Sequence, residues 1–267
     1  MKLLVMGAGY VGMALLDYLQ SQPHEIFITT TSEERIESLK PYGQVVFLHP
    51  TEDNGLKELI DSCDGMVVLV APKNSQSYAE TYLSTAEKIS SACKDRQKPF
   101  YLLYTSSTSV CEGSQSEWVN EQTPLIPQSE NAKILLATEQ VYLNCNAMAC
   151  ILRLGGIYGP NRELIDRARR FSGKQMPGTG NEPTNNIHLS DIVAAIAFCL
   201  DHSLKGIYHL VEDDHPIRKE LYSNLCQLIN LPSPVWNSST SQTTKSYKVS
   251  NEKIKEEGFT FTKANSQ

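Results

Sequence analysis

The sequence predicts an α/β protein: a Rossmann-type, doubly wound parallel sheet carrying a small C-terminal lobe. Three observations predict it. Residues 2–19 pass from an apolar run through a glycine turn into an amphipathic segment. Strand-like and helix-like stretches then alternate through the first two-thirds of the chain, the pattern of right-handed β-α-β crossovers. Beyond residue 156 the alternation becomes irregular, as it does where a sheet has been completed and a second lobe begins.

The first unit sets the others. Leu3, Leu4, Val5 and Met6 form a short strand suited to burial on both faces. Gly7-Ala8-Gly9-Tyr10-Val11-Gly12 follows as a G-x-G-x-x-G, and Val11, Ala14, Leu15, Tyr18 and Leu19 repeat at helical spacing. Strand, glycine turn and helix are the context a dinucleotide fingerprint requires. Gly7 permits the tight exit, Gly9 leaves room for a pyrophosphate, and Gly12 lets the helix lie close. The helix start offers amides and positive dipole charge to phosphates. Gly7, Gly9, Tyr10, Val11 and Gly12 are therefore candidate pyrophosphate contacts, against the plainer reading of an ordinary turn.

A second strand, Ile26–Ile28, ends in Thr29-Thr30-Thr31, and a helix is predicted over Ser32–Lys40. Val45–Leu48 is the third strand, Leu56–Cys63 a helix, and Met66–Val70 the fourth strand, ending in Ala71-Pro72. A long helix over Ser77–Lys94 precedes a fifth strand, Phe100–Tyr104, which enters the polar turn Thr105–Ser109. A long connection contains Trp118, Pro124 and Pro127; its Glu112, Glu117 and Glu121 read as solvated. Ala132–Leu143 is helical and Met148–Leu154 the sixth strand. Gly7, Thr30, Ala71, Ser106 and Gly155 all fall at strand carboxyl ends, where ligands of such sheets bind. Later, Arg162–Phe171, Ser190–Leu200 and Pro216–Ile229 read as helices and Ile207–Val211 as a strand. Ser233–Ser246 reads as a surface loop, and Lys263–Gln267 as frayed. The domain expectation is a dinucleotide-binding domain over 1–160 and a dependent C-terminal substrate lobe over 161–267.

Composition excludes several function classes. With 24 basic and 30 acidic residues the net charge is −6, and there is no basic run to attract nucleic acid or an anionic membrane. The seven cysteines show no C-x-x-C and no metal spacing with histidine, so no metal is expected and the thiols read as buried and reduced. The first strand begins at residue 2, which leaves no signal peptide, and no apolar run has membrane-spanning length. A cytoplasmic protein is expected.

Several segments, in order, resemble the extended short-chain dehydrogenase/reductases of the NAD-dependent epimerase/dehydratase type. Thr105–Val110 is similar to the family's serine-rich turn, and Leu152–Pro160 to its R-x-x-x-x-Y-G-P segment. Asn186–Val193 resembles the segment leading into a helix under the substrate site, and Gly206–Leu210 the late strand. The resemblance implies a nicotinamide cofactor and a small polar substrate, such as a nucleotide sugar. Ser107 falls where the family's Ser/Thr bonds the substrate oxygen; its alternative is a turn serine. Ser106 and Gly155 fall beside the expected cofactor.

The departures are as informative. The family's Tyr-x-x-x-Lys pair has no tyrosine here. Anchoring on Lys133 puts Ser129 at the tyrosine position; anchoring on Glu139 puts Asn131 and Leu135 at the pair. Under the first register Lys133 would hold the nicotinamide ribose, and Ser129, Tyr158 or a water in the pocket would supply the proton. Thr108-Ser109 replace the Asp-Glu of family dehydratases, which disfavours dehydration, and Val110-Cys111-Glu112 replace Val-Tyr-Gly. Thr30 replaces the aspartate that binds the adenosine ribose. Thr30, Thr31, Ser32 and Arg35 can donate to a 2′-phosphate, which puts NADP ahead of NAD. The alternative there is a Thr31–Glu34 capping box with Arg35 in solvent.

Of the remaining polar residues, Tyr158 reads as packing, His188 as a satisfied histidine and Asp191 as structural. Three functions compete. One is an NAD(P)-dependent oxidoreductase or epimerase, and another a non-catalytic NAD(P)-binding regulator or redox sensor. The third, a six-phosphogluconate-dehydrogenase-like nucleotide-sugar dehydrogenase, shares Gly-Tyr-Val-Gly but belongs to longer chains with a catalytic cysteine. Oligomeric state is not encoded in any motif.

Overall fold

The computed structural model describes residues 1–48, 55–72, 77–238 and 247–262. Strand β1 (Lys2–Met6) has all four of its apolar residues buried and runs parallel to β2 (Glu25–Thr30) on one side. On the other side it runs parallel to β4 (Gly65–Val68). β3 (Gln44–Phe47) continues the sheet beyond β2, and β5 (Tyr101–Ser107) beyond β4. With β7 (Met148–Leu154) and β11 (Gly206–Leu210) the order is β11-β7-β5-β4-β1-β2-β3, seven strands. The α/β parallel sheet is as expected, and the order reverses direction beside β1, which is where the glycine turn leaves the sheet.

The chain separates into two compact units that interleave along the sequence. Unit 1 takes residues 1–107, 129–153 and 193–207; unit 2 takes 108–128, 154–192 and 208–267. One cut near residue 160 therefore describes neither unit, because the connections after β5, β7 and β11 all leave unit 1.

Unit 1 carries helices α1 (Tyr10–Leu19), α2 (Ile36–Leu39), α3 (Leu56–Ser62), α4 (Ser84–Cys93) and α5 (Glu130–Leu143). The expected helix over Ser32–Lys40 is broken into a 3₁₀ turn, α2 and a second 3₁₀ turn containing Pro41. The expected helix over Ser77–Lys94 opens with one π turn, Ala79–Leu83, before α4. One core joins Leu4, Met66, Val68, Leu102 and Ile151 of the strands to Ile60, Ile89 and Tyr142 of the helices. β5 extends through Thr105–Ser107, which the sequence had assigned to a turn: those polar residues remain in the ladder. Helix α7 (Leu189–His202) and the buried Tyr101 hydroxyl, which donates to Cys199 O at 3.0 Å, close the far side.

Unit 2 is built from short parallel pairs. β8 (Gly156–Tyr158) pairs with β10 (Asn186–His188), β9 (Gln175–Pro177) with β12 (Val235–Asn237), and β6 (Trp118–Val119) with β13 (Lys248–Val249). Its helices are α6 (Leu164–Phe171), α8 (Arg218–Leu228) and α9 (Glu252–Glu256). α6 and α8 meet through Ala168, Tyr222 and Cys226. The segment read as a loop over Ser233–Ser246 contains β12; residues 239–246 and 263–267 lie outside the described residues. Glu112 and Glu121, read as solvated, instead accept from Gln128 N at 2.8 Å and His209 N at 2.7 Å, pinning their loop. All seven cysteines are free thiols, six of them buried. Among the described residues no helix is long and apolar enough to cross a membrane, and no cluster of His, Cys, Asp and Glu is arranged for a metal.

Candidate functional site

The turn after β1 shows why its glycines are there. Gly7 adopts φ +105°, and a Cβ on it would lie 2.6 Å from the Leu69 carbonyl carbon. The turn is thus pressed against the exit of β4. A Cβ on Gly12 would overlap the Gly7 carbonyl oxygen, so helix α1 can start directly on the turn only without one. Gly9 differs from both: a Cβ there would meet nothing within 4 Å. Gly9 is the N-cap of α1, no side chain caps the helix, and its first turn carries no acidic residue. Open space over a helix start without a side-chain cap is what the pyrophosphate of a dinucleotide requires. The residues present fit that group.

At the end of β2, Thr30 Oγ1 accepts from Ser32 N at 3.1 Å, turning the side chain to its own loop. The alternative of a Thr31–Glu34 capping box does not form; Ser32 stands at the N-cap, without a side-chain bond. Thr31 is exposed. Arg35 is half-buried rather than solvated. Its Nη1 donates to Ala8 O at 2.7 Å and its Nη2 lies 3.5 Å from Met13 Sδ. A guanidinium thus lies against the glycine turn, brought from 27 residues away. Ala71 follows β4 and is exposed. In unit 1, the carboxyl ends of the neighbouring strands β2, β1, β4 and β5 therefore bring Thr30, Gly7, Ala71 and Ser106 to one edge of the sheet.

Ser106 is not facing that edge freely. Its hydroxyl donates to Glu139 Oε1 at 2.6 Å, and the same carboxylate receives Arg153 Nε at 3.0 Å and Nη2 at 2.7 Å. Glu139 and Arg153 are sealed, at 0% and 2% side-chain exposure. Neither was a sequence candidate in this role; an Arg in an otherwise apolar strand, Met148–Leu154, was the signal available. The pairing fixes the face α5 turns inward. Leu135, one turn before Glu139, is buried on that face, with Asn131 one turn earlier still. Ser129 is the α5 N-cap, its Oγ accepting from Ala132 N at 3.3 Å. Lys133 is 55% exposed with Glu130 at 3.8 Å. Ser107 is the last residue of β5.

Unit 2 holds a second polar cluster. Gly155 lacks a side chain because Asn185 O would occupy the Cβ position. Three residues on, Tyr158 Oη donates to Glu212 Oε1 at 2.6 Å, and its ring meets His188 edge-to-face at 5.0 Å. Burial pushes the Glu212 carboxyl above its ordinary range, and burial with Glu212 beside it raises the Tyr158 phenol. His188 Nδ1 lies 2.7 Å from Ser190 Oγ. Asp191 is sealed and accepts from Thr262 N at 2.9 Å and Oγ1 at 2.6 Å, anchoring the C-terminal segment.

Residues 3–210 match the model of the NAD dependent epimerase/dehydratase family. The chain belongs to this family. No curated protein matches it. Among solved structures, a functionally unknown conserved protein from Silicibacter pomeroyi superposes with a TM-score of 0.78 at 23% identity, covering 99% of this chain and 94% of its own. UDP-glucuronic acid 4-epimerase from Bacillus cereus, in complex with UDP-glucuronic acid and NAD, gives 0.77 at 20% identity over 96% and 92%. MoeE5 in complex with UDP-glucose and NAD gives 0.73 at 18% over 93% and 90%. At these identities the likeness is one of fold.

Proposed function

We propose that this family member is an NADP-preferring oxidoreductase or epimerase of the extended short-chain dehydrogenase type, acting on a small polar substrate of the nucleotide-sugar class. The observation that carries the reading is Arg35 seated on Ala8 beside the open start of α1, with no acid at Thr30. An aspartate there would repel a 2′-phosphate, whereas a fixed guanidinium attracts one. Gly7, Gly9, Tyr10, Val11 and Gly12 hold the pyrophosphate, Arg35 with Thr30 and Thr31 meets the adenosine ribose, and Ala71 completes the cofactor contacts of unit 1. The solved relatives with UDP-sugars motivate the substrate class.

When bound, the nicotinamide supplies reversible hydride exchange with the carbon that bears the substrate oxygen. Ser107 donates a hydrogen bond to that oxygen and fixes its position. Ser129 and Lys133 are less well placed, because one caps α5 and the other faces Glu130. For either to act, that local bond must open.

Leu135, buried where the Glu139 register calls for a lysine, favours a second reading: a cofactor-binding regulator without turnover. Calorimetric titration with NADP and NAD, followed by a hydride-transfer assay on UDP-sugars, separates the two. The wild type is expected to prefer NADP. Arg35→Ala should lose that preference by roughly tenfold, about 1.4 kcal/mol. Gly9→Val should abolish binding of both with the fold retained. Turnover that falls in Ser107→Ala supports the enzyme; tight NADP binding with no turnover across the panel supports the regulator. Equal or stronger NAD affinity in the wild type refutes the phosphate preference.

A further inference from the structure

Among the described residues, unit 1 offers charge to one half of a dinucleotide and withholds it from the other. The start of α1 is open over Gly9, and beside it Arg35 Nη1 lies on Ala8 O at 2.7 Å. A helix start and a seated guanidinium both attract phosphate. A dinucleotide centred on that helix start, with its adenosine ribose toward Arg35 at the end of β2, runs its other half over β4, β5 and β7. On that side β5 carries no cation, β7 carries only Arg153, and α5 carries only Lys133. Arg153 is spent, since its Nε and Nη2 both donate to the sealed Glu139. Lys133 is turned away. Buried Leu135, Thr138, Glu139 and Tyr142 mark the inward face of α5. At about 100° per residue, Lys133 stands about 160° round the helix from Leu135 and about 120° from Glu139. It is 55% exposed, with Glu130 at 3.8 Å. Rotating α5 to bring it inward would break the Ser106–Glu139–Arg153 set, so the helix is fixed as it stands.

We infer that the chain holds NADP by its adenosine half, through the 2′-phosphate and the pyrophosphate, and leaves the nicotinamide half unanchored. The ligand class is then wider than the dinucleotide. Any adenosine that carries a 2′-phosphate and a 5′-diphosphate meets the same contacts, with or without a nicotinamide, and competes for the same seat. The inference rests on the cofactor reading above and narrows it to one half of the molecule. Where a protein cation does bond the nicotinamide ribose, that charge-assisted hydrogen bond adds about tenfold or more in affinity, so its loss is measurable.

Calorimetric titration of the full chain with NADP and with adenosine 2′-phosphate 5′-diphosphate, which lacks the nicotinamide and its ribose, is the test. The fragment is expected to bind within about fivefold of NADP, or more tightly. Proton NMR of NADP in the presence of the protein supplies a second readout: the adenine resonances should broaden while the nicotinamide resonances stay narrow. Arg35→Ala should weaken both ligands by the same factor, roughly tenfold, because both are gripped through the same half; circular dichroism checks that the variant is folded. NADP binding more than about fivefold tighter than the fragment, or nicotinamide resonances that broaden as much as those of adenine, overturns the inference and leaves the cofactor reading standing. So does a loss in folded Arg35→Ala that falls on the fragment and spares NADP, since a second hold must then exist. If neither nucleotide binds the wild type, the cofactor reading itself fails and the inference fails with it.

Discussion

Arg153 and Arg170 are the same side chain put to opposite uses. Arg153 is sealed in unit 1, its guanidinium bonded through two nitrogens to a carboxylate that is itself sealed, and Ser106 completes the set. Arg170 is exposed in unit 2 on a helix whose apolar face is buried elsewhere. A charge taken out of water must be matched in place, so Arg153 is committed to structure. A charge left at the surface keeps its donors in water. Arg96 falls with the first: it is buried and donates to Ile60 O at 2.7 Å and Cys63 O at 2.6 Å. Exposure, not residue type, divides the two uses.

The sharpest way to break this contrast is to remove one partner of the sealed pair. Arg153→Ala leaves Glu139 buried without its countercharge, and Glu139→Ala does the same to Arg153. Each should cost about 3–5 kcal/mol in urea unfolding. Replacing both with apolar residues, Glu139→Leu with Arg153→Met, should cost much less, since no charge then remains to be matched. A double variant as unstable as the singles would mean that the pair stabilises by attraction rather than by mutual compensation.

The glycine turn was legible in the sequence because its reasons are local. Gly7 and Gly12 answer to each other within the first strand-turn-helix segment, with Leu69 after β4 as the neighbour beyond it, and the parallel sheet followed from the alternation of strands and helices. What the sequence did not yield is set by long-range partners. Arg35 reads as a candidate phosphate donor from its sequence position, but its seat on Ala8 O does not show there, and Glu121 reads as a solvated loop residue until it meets His209 N, 88 residues away. Residue spacing left both registers of α5 open; the choice depends on Glu139 meeting β5 and β7. The interleaving of the units escaped for a related reason. Periodicity marks where an element lies along the chain, not which core it joins.

Glu212 lies between the two extremes, half-buried with Tyr158 donating to it. Burial raises its folded-state pKa above the ordinary 4.5. The folded protein therefore holds that proton more tightly than the unfolded chain does. The resulting stability is fully present below the unfolded value and is lost as pH rises through the folded value. At neutral pH the carboxylate is a cost, which Glu212→Gln removes while keeping an oxygen to accept from Tyr158. Thermal melts from about pH 4 to pH 8 should show the variant gaining over wild type as pH rises. Because the group is only half-buried, solvent screening holds the gain below about 1 kcal/mol. A gain that is the same at both ends of the range would deny Glu212 its titration.

The smallest expected effect is the most discriminating. Arg170→Gln changes an exposed side chain, whereas α6 is braced through Ala168, Phe171, Tyr222 and Cys226. Glutamine is close to arginine in helix propensity, so the backbone loses almost nothing. Arg167 and Arg170 are three apart on α6, and removing one of two like charges so placed also relieves repulsion worth a few tenths of a kcal/mol. The unfolding free energy should therefore stay within about 0.5 kcal/mol of wild type, the range of ordinary surface substitutions. Urea titration of Arg170→Gln beside Arg153→Ala makes the comparison within one chain and one assay. A loss of more than about 1 kcal/mol in Arg170→Gln would show that this arginine, too, is part of the scaffold, and the line drawn between sealed and open guanidinium groups would have to move.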